Sequence, residues 1–484
     1  MKENKKLLSS FAWKFAERML SQGIGLVLQI FIARLVVPEA IGQMVIILSV
    51  INIFSVISQS GFSSYIIQKQ NIKEEVISTI ATFSVIISIL CIVIFLLFGN
   101  FFMNIIGYPN LGIYLKICSI VLIFNAINGI CSGLLAREME FKEMFMRTVV
   151  VLPIAVGVCF SCMFLGYDLE ALLAYNIVNP FCTMIFLLIL LHKKGYKIYF
   201  RIKKNILKQA LPYSFRVLTQ DIGSVLCNSI KSFFMGGIYS ANALAYYDRA
   251  YTYTSYVEES ITYTASSVLL PAMAKEQNDK EKFNNYIVNA TAIYSLLVIP
   301  ALIGFAAISP TFIKLILTEK WMPCIPYIWI FSIGFLHYPI LTIHKPAFLA
   351  TGRSDITLKI TMIQNGISIF LLIITMKYSP ILIAVGTSIS LLVYIPLYIN
   401  ATRRYMEIPI KSQIWSMGKY ILYSIIMGCI VYFINFMKIS DIIKISFQIC
   451  IGVSVYIFIL FFLKDEFFIK ILKILIKKIK EKRK

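Results

Sequence analysis

Charged residues are scarce in this sequence: Asp, Glu, Lys and Arg together make up 14% of its 484 residues. A soluble domain usually carries about 25%. Hydrophobic residues make up 59%, and the mean hydropathy is +0.80. This composition excludes an ordinary soluble globular protein and predicts a polytopic membrane protein.

Acidic residues are the rarer of the two charge types, with 24 Asp and Glu against 46 Lys and Arg, so the formal net charge is +22. In a soluble protein this imbalance would point to nucleic acid. Here most basic residues lie in short connections between apolar segments, which is the pattern that sets membrane topology. We therefore expect no nucleic-acid partner.

The residues of common metal and nucleotide sites are also few or dispersed. There are three histidines, and nearly all of the ten cysteines lie inside apolar segments. Cys159 and Cys162 form a CxxC pair without partner ligands, so packing explains them better than metal or redox chemistry. The sequence contains no Walker A loop. We expect no metal, no cofactor and no ATP hydrolysis.

Apolar stretches long enough to cross a bilayer, each about 20–28 residues, recur fourteen times. They predict an all-α fold with about 14 transmembrane helices. The connections alternate between basic and nearly uncharged, and the uncharged connection at 99–111 is expected outside. The positive-inside rule then places both termini in the cytoplasm.

One stretch of the chain occurs twice. Residues 18–29 read RMLSQGIGLVLQ, and residues 216–227 read RVLTQDIGSVLC. The identical positions are Arg18/Arg216, Leu20/Leu218, Gln22/Gln220, Ile24/Ile222, Gly25/Gly223, Val27/Val225 and Leu28/Leu226. Such an internal repeat points to a transporter built from two related halves.

The repeat and the basic connection between the halves divide the chain. Both copies start inside, so the halves are expected to be parallel and related by an axis along the membrane normal. The predicted parts are an N-lobe with helices 1–6 (1–192), a basic cytoplasmic connector (193–209), a C-lobe with helices 7–12 (210–402), helices 13–14 (403–464) and a basic amphipathic cytoplasmic tail (465–484). The tail is expected to lie on the anionic inner leaflet.

Charged and amide side chains inside the predicted spans are the candidate substrate-binding residues, because charge in a membrane is costly. They are Arg18, Gln22, Arg216, Gln220, Arg34 and Lys231. Arg18 and Arg216 lie on a polar stripe near the cytoplasmic end, where guanidinium groups suit phosphate or pyrophosphate. Two alternatives stay open: Arg18 pairs with Glu17 or another acid as a helix staple, and Arg34 and Lys231 extend to the outer headgroups.

Two adjacent acidic residues lie near the middle of the eighth predicted span. Glu258 and Glu259 are candidates for proton coupling, because a carboxylate in a membrane tends to hold its proton. A salt bridge to a cavity arginine is the alternative. Adjacent helical residues point about 100° apart, so at most one of the two carboxylates can lie centrally in a cavity.

Several longer stretches resemble a known family of membrane transporters. They are ARLVVPEAIGQMVI (33–46), SGFSSYIIQKQNIKEEVISTI (60–80), GLLAREMEFKEM (133–144), LKQALPYSF (207–215), ALAYYDRAYTYTSYVEESITYTASSVLLPAMAKEQND (243–279), EKWMPCIPYIWIFSIG (319–334) and ATGRSDITLKI (350–360). Their order and spacing resemble the Wzx-type oligosaccharide flippases, especially the WzxC-like branch. These flippases belong to the multidrug/oligosaccharidyl-lipid/polysaccharide (MOP) exporter superfamily.

The resemblance implies a fourteen-helix fold with two six-helix lobes in a bacterial cytoplasmic membrane. It implies export of undecaprenyl-pyrophosphate-linked sugar repeat units, with the pyrophosphate held at Arg18 and Arg216. Relatives often have a proline where this chain reads SYVEES, so the family pattern does not account for Glu258 and Glu259. Expected partners are the lipid-linked oligosaccharide, membrane lipids, and the polymerase and glycosyltransferases of the same pathway, with the chain itself a monomer.

Two other function classes remain as alternatives. A drug or metabolite antiporter of the same fold is disfavoured by the basic stripes, which select an anionic substrate rather than a cationic drug. A membrane glycosyltransferase or polymerase is disfavoured because the predicted outer connections are short. We therefore expect a transporter and not an enzyme.

Overall fold

The computed structural model describes residues 2–69, 72–196, 199–276 and 279–469, and within them it leaves out the side chains of 2–12, 216–217, 220–221 and 263–276. The described residues are almost entirely helical. The chain separates into two compact units, Met1–Ala245 and Tyr246–Lys484. The predicted all-α membrane fold is therefore confirmed.

The first unit is built from nine helices and the start of a tenth among the described residues. They are α1 (Lys2–Leu35), α2 (Pro38–Gln59), α3 (Phe62–Gln68), α4 (Glu74–Ile106), α5 (Gly112–Cys118), α6 (Val121–Arg137), α7 (Phe141–Phe164), α8 (Leu169–Lys193), α9 (Lys204–Phe234) and α10 (Ala241–Glu276). The short helix α3 directly follows α2, from which it is separated by Ser60 and Gly61 in the left-handed conformation (φ 48° and 66°).

The second unit contains the rest of α10 and eight further helices among the described residues. They are α11 (Lys280–Phe312), α12 (Ile325–Gly334), α13 (Tyr338–Ala350), α14 (Ser354–Thr375), α15 (Pro380–Leu392), α16 (Tyr394–Met406), α17 (Ile410–Phe433) and α18 (Asp441–Phe462). The last two pack on α11: the Tyr456 hydroxyl donates to the Leu296 carbonyl at 3.0 Å, and the Asn435 amide donates to the Ala307 carbonyl at 3.0 Å.

Helices long and apolar enough to cross a membrane number twelve in the described part of the chain. Some continue through a short break, as Pro38–Gln68 and Glu319–Ala350 do. The helices α9 and α10, which carry the second repeat and the acidic pair, are long but are not among the twelve. The count of about fourteen thus holds when these two more polar helices are included.

The third span ends later than its hydropathy suggests. The connection expected at 99–111 is helical up to Ile106, where Gly107 ends α4 with φ 93°. The Gly107 amide bonds to the Asn104 carbonyl and the Tyr108 amide to the Met103 carbonyl, which is a glycine-terminated helix end. Residues 99–106 contain Gly99 but no proline, and α4 continues through that glycine. The expected start of this connection at residue 99 was therefore wrong.

Part of the basic connector lies extended along the start of α4. Hydroxyl groups of Ser78, Thr79 and Thr82 accept from backbone amides of residues 199, 203 and 201. Lys203 pairs with Glu75 at 2.5 Å. These contacts bind the connector to the first unit. The connector is also shorter than expected, because α9 already begins at Lys204.

Just before this extended stretch, Tyr196 donates a hydrogen bond to Glu138. Burial and the neighbouring carboxylate raise the pKa of Tyr196 to about 12, so its hydroxyl keeps the proton that it donates. This contact fixes the chain at the end of α8 to the end of α6.

The predicted basic tail begins at a buried aspartate. Asp465 accepts from the Tyr420 hydroxyl at 3.2 Å and from the amides of Phe467 and Phe468 at 3.1 and 3.0 Å, and it pairs with Lys419. The carboxylate therefore caps a helical turn that follows α18. The rest of the predicted tail, 470–484, lies outside the described residues.

Candidate functional site

The polar stripe of α1 is organised around a buried carboxylate. Glu17 is 7% exposed, and its two oxygens accept from Lys14 at 2.7 Å and from Arg147 of α7 at 2.8 Å. Glu17, which the sequence suggested as a possible partner of Arg18, is thus bound to Lys14 and Arg147. The Glu17–Arg147 pair joins α1 to α7, and the carboxylate offsets part of the positive charge of Lys14 and Arg147.

Arg18 and Gln22 follow Glu17 on the same helix. Arg18 is exposed and Gln22 is half-buried. Arg34 is exposed in the last turn of α1, and Lys231 is half-buried in the last turn of α9. The positions of Arg34 and Lys231 at helix ends are compatible with either role considered for them. The side chains of the repeat partners Arg216 and Gln220 lie outside the described residues.

A polar cavity of about 430 Å³ lies beside the Glu17–Arg147 pair. It is lined by residues of α1, α2, α6, α7 and α8, all in the first unit. Its polar lining consists of Ser21, Asn52, Asn125, Asn128, Arg147, Thr148, Tyr175, Asn176, Asn179 and Thr183. We call this space the asparagine cavity.

The amide groups of this cavity are held in fixed orientations. Asn128 donates to the Pro180 carbonyl at 2.9 Å, and Asn176 donates to the Leu172 carbonyl at 2.8 Å. A backbone carbonyl only accepts, so each of these amides must turn its NH₂ group to the carbonyl. Their oxygens are thereby free to accept, and the Asn128 oxygen is buried with no hydrogen-bond partner among the described atoms.

A proline adds a backbone acceptor to the same wall. Pro180 lies inside α8 and has no N–H, so the carbonyl four residues earlier, that of Asn176, lacks its usual helical donor. Asn176 and Pro180 both line the cavity. The α8 wall therefore presents a backbone acceptor beside the hydroxyl groups of Tyr175 and Thr183, which can donate and accept.

The sequence contains a signal for this cavity that the search for charged residues missed. Asn125 and Asn128 are three residues apart on α6, and Asn176 and Asn179 are three apart on α8. That spacing places each pair on one helix face. Arg147 resembles a topological charge in the sequence, whereas the structure places it in the cavity wall as the partner of Glu17.

The acidic pair lies in the second unit, on α10. Glu258 is 1% exposed, and its Oε1 accepts from the Tyr294 hydroxyl of α11 at 3.0 Å and from the Thr262 hydroxyl. Glu259 is half-buried. The two carboxylates are thus in different environments, as their adjacent positions on a helix require.

The hydrogen bonds to Glu258 come from hydroxyl groups. The hydroxyl groups that donate to Glu258 come from α10 and α11, and Glu259 is its neighbour along α10. The site can hold a proton or a hydrogen-bonded carboxylate.

Comparisons with known proteins identify relatives of this chain. The family described as "Polysaccharide biosynthesis protein" matches residues 31–326. The lipopolysaccharide biosynthesis protein WzxC of Escherichia coli is 23% identical over 370 residues, which cover 75% of this chain and 74% of WzxC. The resemblance to WzxC-like proteins is confirmed.

Two solved structures share the fold. The lipid II flippase MurJ in an inward closed conformation gives a TM-score of 0.75 at 20% identity, covering 94% of this chain and 99% of MurJ. An inward-facing multidrug resistance transporter of the MATE family, from the MOP superfamily, gives 0.59 at 16% identity and covers 84% and 94%. The fold is that of MOP-superfamily membrane transporters.

Proposed function

Because this chain belongs to the polysaccharide biosynthesis protein family, we propose that it is a flippase for lipid-linked oligosaccharide. The substrate is an undecaprenyl-pyrophosphate-linked repeat unit, which moves from the inner to the outer leaflet by alternating access. One observation carries the proposal most directly. A polar cavity with a buried ion pair lies inside a helical unit whose outer surface is apolar, and because polar groups inside a membrane protein are costly, they mark a candidate substrate pathway.

The charged end of the substrate is assigned to the repeated arginines. Arg18 and Arg216, with Gln22 and Gln220, bind the pyrophosphate, since guanidinium groups form paired hydrogen bonds with phosphate oxygens. Arg18 is supported by its exposure one turn before Ser21, which lines the cavity. Arg34 and Lys231, at the other ends of their helices, receive the same group after translocation.

Ion coupling is assigned to the second unit. Glu258 binds and releases a proton during the cycle, with Tyr294 and Thr262 as hydrogen-bond partners. Glu259 acts as its neighbouring charge. The support is the burial of Glu258 among hydroxyl groups, which can bond to its carboxyl group in either protonation state.

The family and the charge pattern support the proposed setting. We place the chain in a bacterial cytoplasmic membrane, as a monomer with both termini in the cytoplasm. Glycosyltransferases supply the lipid-linked unit on the inner side, and a polysaccharide polymerase consumes it on the outer side. The chain itself catalyses no bond change.

A vesicle assay tests this function. Purified protein is reconstituted into liposomes that contain a small fraction of undecaprenyl-pyrophosphate-linked oligosaccharide, and a sugar-oxidising reagent or lectin outside the vesicles reports the accessible fraction. We expect that fraction to rise toward full exposure only in vesicles with protein. A fraction that stays at the protein-free value, together with saturable uptake of a cationic dye, would favour the drug-antiporter alternative instead.

A further inference from the structure

We propose that the asparagine cavity binds one neutral sugar ring of the substrate, next to the lipid phosphate. This inference rests on the proposed flippase function and adds the place at which the glycan is recognised. The sugar enters the cavity of the first unit, while the pyrophosphate stays outside it at Arg18. The cavity therefore distinguishes a glycan-bearing lipid from the bare carrier lipid.

The hydrogen-bonding pattern of the cavity fits a ligand rich in hydroxyl groups. The side-chain NH₂ groups of Asn128 and Asn176 donate to backbone carbonyls, which leaves their side-chain oxygens as acceptors. The backbone carbonyl of Asn176 is a further acceptor, because Pro180 has no N–H to donate to it. A ligand must therefore bring donors to these acceptors. Sugar hydroxyl and acetamido N–H groups are such donors.

The charge of the cavity argues against an ionic ligand. Arg147 is the charged side chain in the described lining, and it is bound at 2.8 Å to Glu17, which also pairs with Lys14. No carboxylate occurs among the described residues that line the cavity. A metal cation would meet a guanidinium without a negative ligand, and an anion would compete with Glu17 for Arg147. A neutral polar ligand meets neither obstacle.

The size of the cavity and its position on α1 agree with a single ring beside the phosphate. A volume of about 430 Å³ lies within the usual range of small-molecule pockets and is enough for one pyranose ring with its hydroxyl groups. Ser21 in the lining and Arg18 are three residues apart on α1, so they lie on the same side of the helix, about 4.5 Å apart along its axis. Tyr175 supplies an aromatic face on which a sugar ring can lie.

The test measures binding of two defined lipids to the full-length protein in nanodiscs. One is undecaprenyl pyrophosphate, and the other is undecaprenyl pyrophosphate that carries a single N-acetylglucosamine. We expect the wild-type protein to bind the sugar-bearing lipid more tightly. Asn128→Leu and Asn176→Leu should each reduce that preference about three- to tenfold and leave binding of the bare lipid unchanged. Arg18→Ala should weaken both lipids alike.

The chain offers a matched control in the second unit. Asn284 of α11 donates its NH₂ group to the Met406 carbonyl at 2.8 Å, and its buried oxygen has no partner among the described atoms, as for Asn128. Asn284→Leu removes an equivalent amide that lies outside the cavity, so the preference for the sugar-bearing lipid should stay unchanged. If an Asn→Leu variant fails to fold, Thr183→Val at the cavity wall provides the smaller change, with the same expected direction.

Three results would overturn the inference. Equal affinities of the wild-type protein for the two lipids would remove the sugar site while leaving the flippase function intact. A preference that survives both cavity variants would place the sugar elsewhere. If lipid binding by the wild-type protein requires sodium, and Asn128→Leu removes that requirement but keeps the sugar preference, the cavity is an ion site. Failure of the wild-type protein to bind either lipid would instead contradict the proposed function itself.

Discussion

Arg147 of α7 donates from Nη2 to Oε1 of Glu17 on α1 at 2.8 Å, across 130 residues of sequence. The carboxylate is nearly inaccessible, while the guanidinium forms part of the wall of the asparagine cavity. This pair fixes the position of α1, and hence of Arg18 and Ser21, relative to the cavity. A transport protein that binds a phosphate and a sugar side by side requires such a fixed relation.

The first prediction concerns this ion pair. Glu17→Gln leaves the Arg147 guanidinium without its charge partner and should destabilise the protein by up to about 3 kcal/mol. The double variant Glu17→Leu with Arg147→Met replaces both charges with apolar groups and should recover most of the loss. The measurement is the unfolding midpoint of detergent-solubilised protein by intrinsic fluorescence.

An exposed pair serves as the control for that experiment. Lys280 and Glu407 pair at 2.7 Å with side chains 61% and 74% exposed, so Glu407→Gln should change stability by less than about 1 kcal/mol. A Glu17→Gln effect no larger than that of Glu407→Gln would show that the pair does not hold α1 to α7.

The second prediction concerns a close approach of backbones in the first unit. A Cβ atom on Gly42 of α2 would lie 1.8 Å from the carbonyl oxygen of Ala241, at the start of α10. Gly42→Ala should therefore separate these segments and lower the yield of folded protein strongly. Gly157 on α7 has no atom within 4 Å of an added Cβ, so Gly157→Ala should be neutral or stabilising by about 0.5–1 kcal/mol. Size-exclusion profiles and thermal midpoints compare the two, and equal behaviour would contradict the prediction.

The third prediction concerns coupling at Glu258. Glu258→Gln keeps a group that can accept from Tyr294 and Thr262, so folding should be retained while the proton-binding step is lost. Transport should then become nearly independent of pH between roughly 5 and 8, the range in which a shifted carboxyl or histidine titrates. Transport at several pH values in the vesicle assay is the measurement.

The other acid in this region provides the comparison. Glu259→Gln changes a half-buried carboxylate and should shift the pH profile without flattening it. If both single variants keep the wild-type pH profile, the acids serve structure rather than coupling.

The fourth prediction concerns topology. The turn at Gly107–Tyr108 follows α4 and should lie outside the cytoplasm, with both termini inside. A cysteine at position 108, in a variant whose native exposed cysteines Cys429 and Cys450 are replaced, should react with a membrane-impermeant maleimide in intact cells. Labelling only after the cells are opened would reverse the assignment.

The sequence predicts the fold well because span length and apolar composition are local properties. It also predicts the family, since the order of several distant stretches carries the resemblance. The sequence does not predict the end of α4, because the hydropathy decreases several residues before the helix ends. The helix ends only at Gly107, which has φ 93°. Helix ends depend on backbone conformation, which a hydropathy profile does not contain.

The candidate site is predicted less completely, because charged residues stand out in an apolar sequence and neutral polar groups do not. Arg18 and Glu258 are conspicuous charges in apolar segments, whereas Asn128 and Asn176 are ordinary residues until their helices are brought together. Arg147 precedes the apolar part of α7, as a topological charge would. Its pairing with Glu17 across 130 residues is a tertiary contact that periodicity within one helix cannot show.

The most direct test of the central claim is the rate at which lipid-linked oligosaccharide crosses vesicles that contain Arg18 and Arg216 variants. Each Arg→Ala variant should lose about 1.5–3 kcal/mol of substrate binding, or roughly 10- to 150-fold in affinity, whereas Arg→Lys keeps the charge and should lose less. The double Ala variant should lose less than the sum, because both groups are proposed to bind one pyrophosphate. Wild-type flipping rates in both single Ala variants would contradict the account.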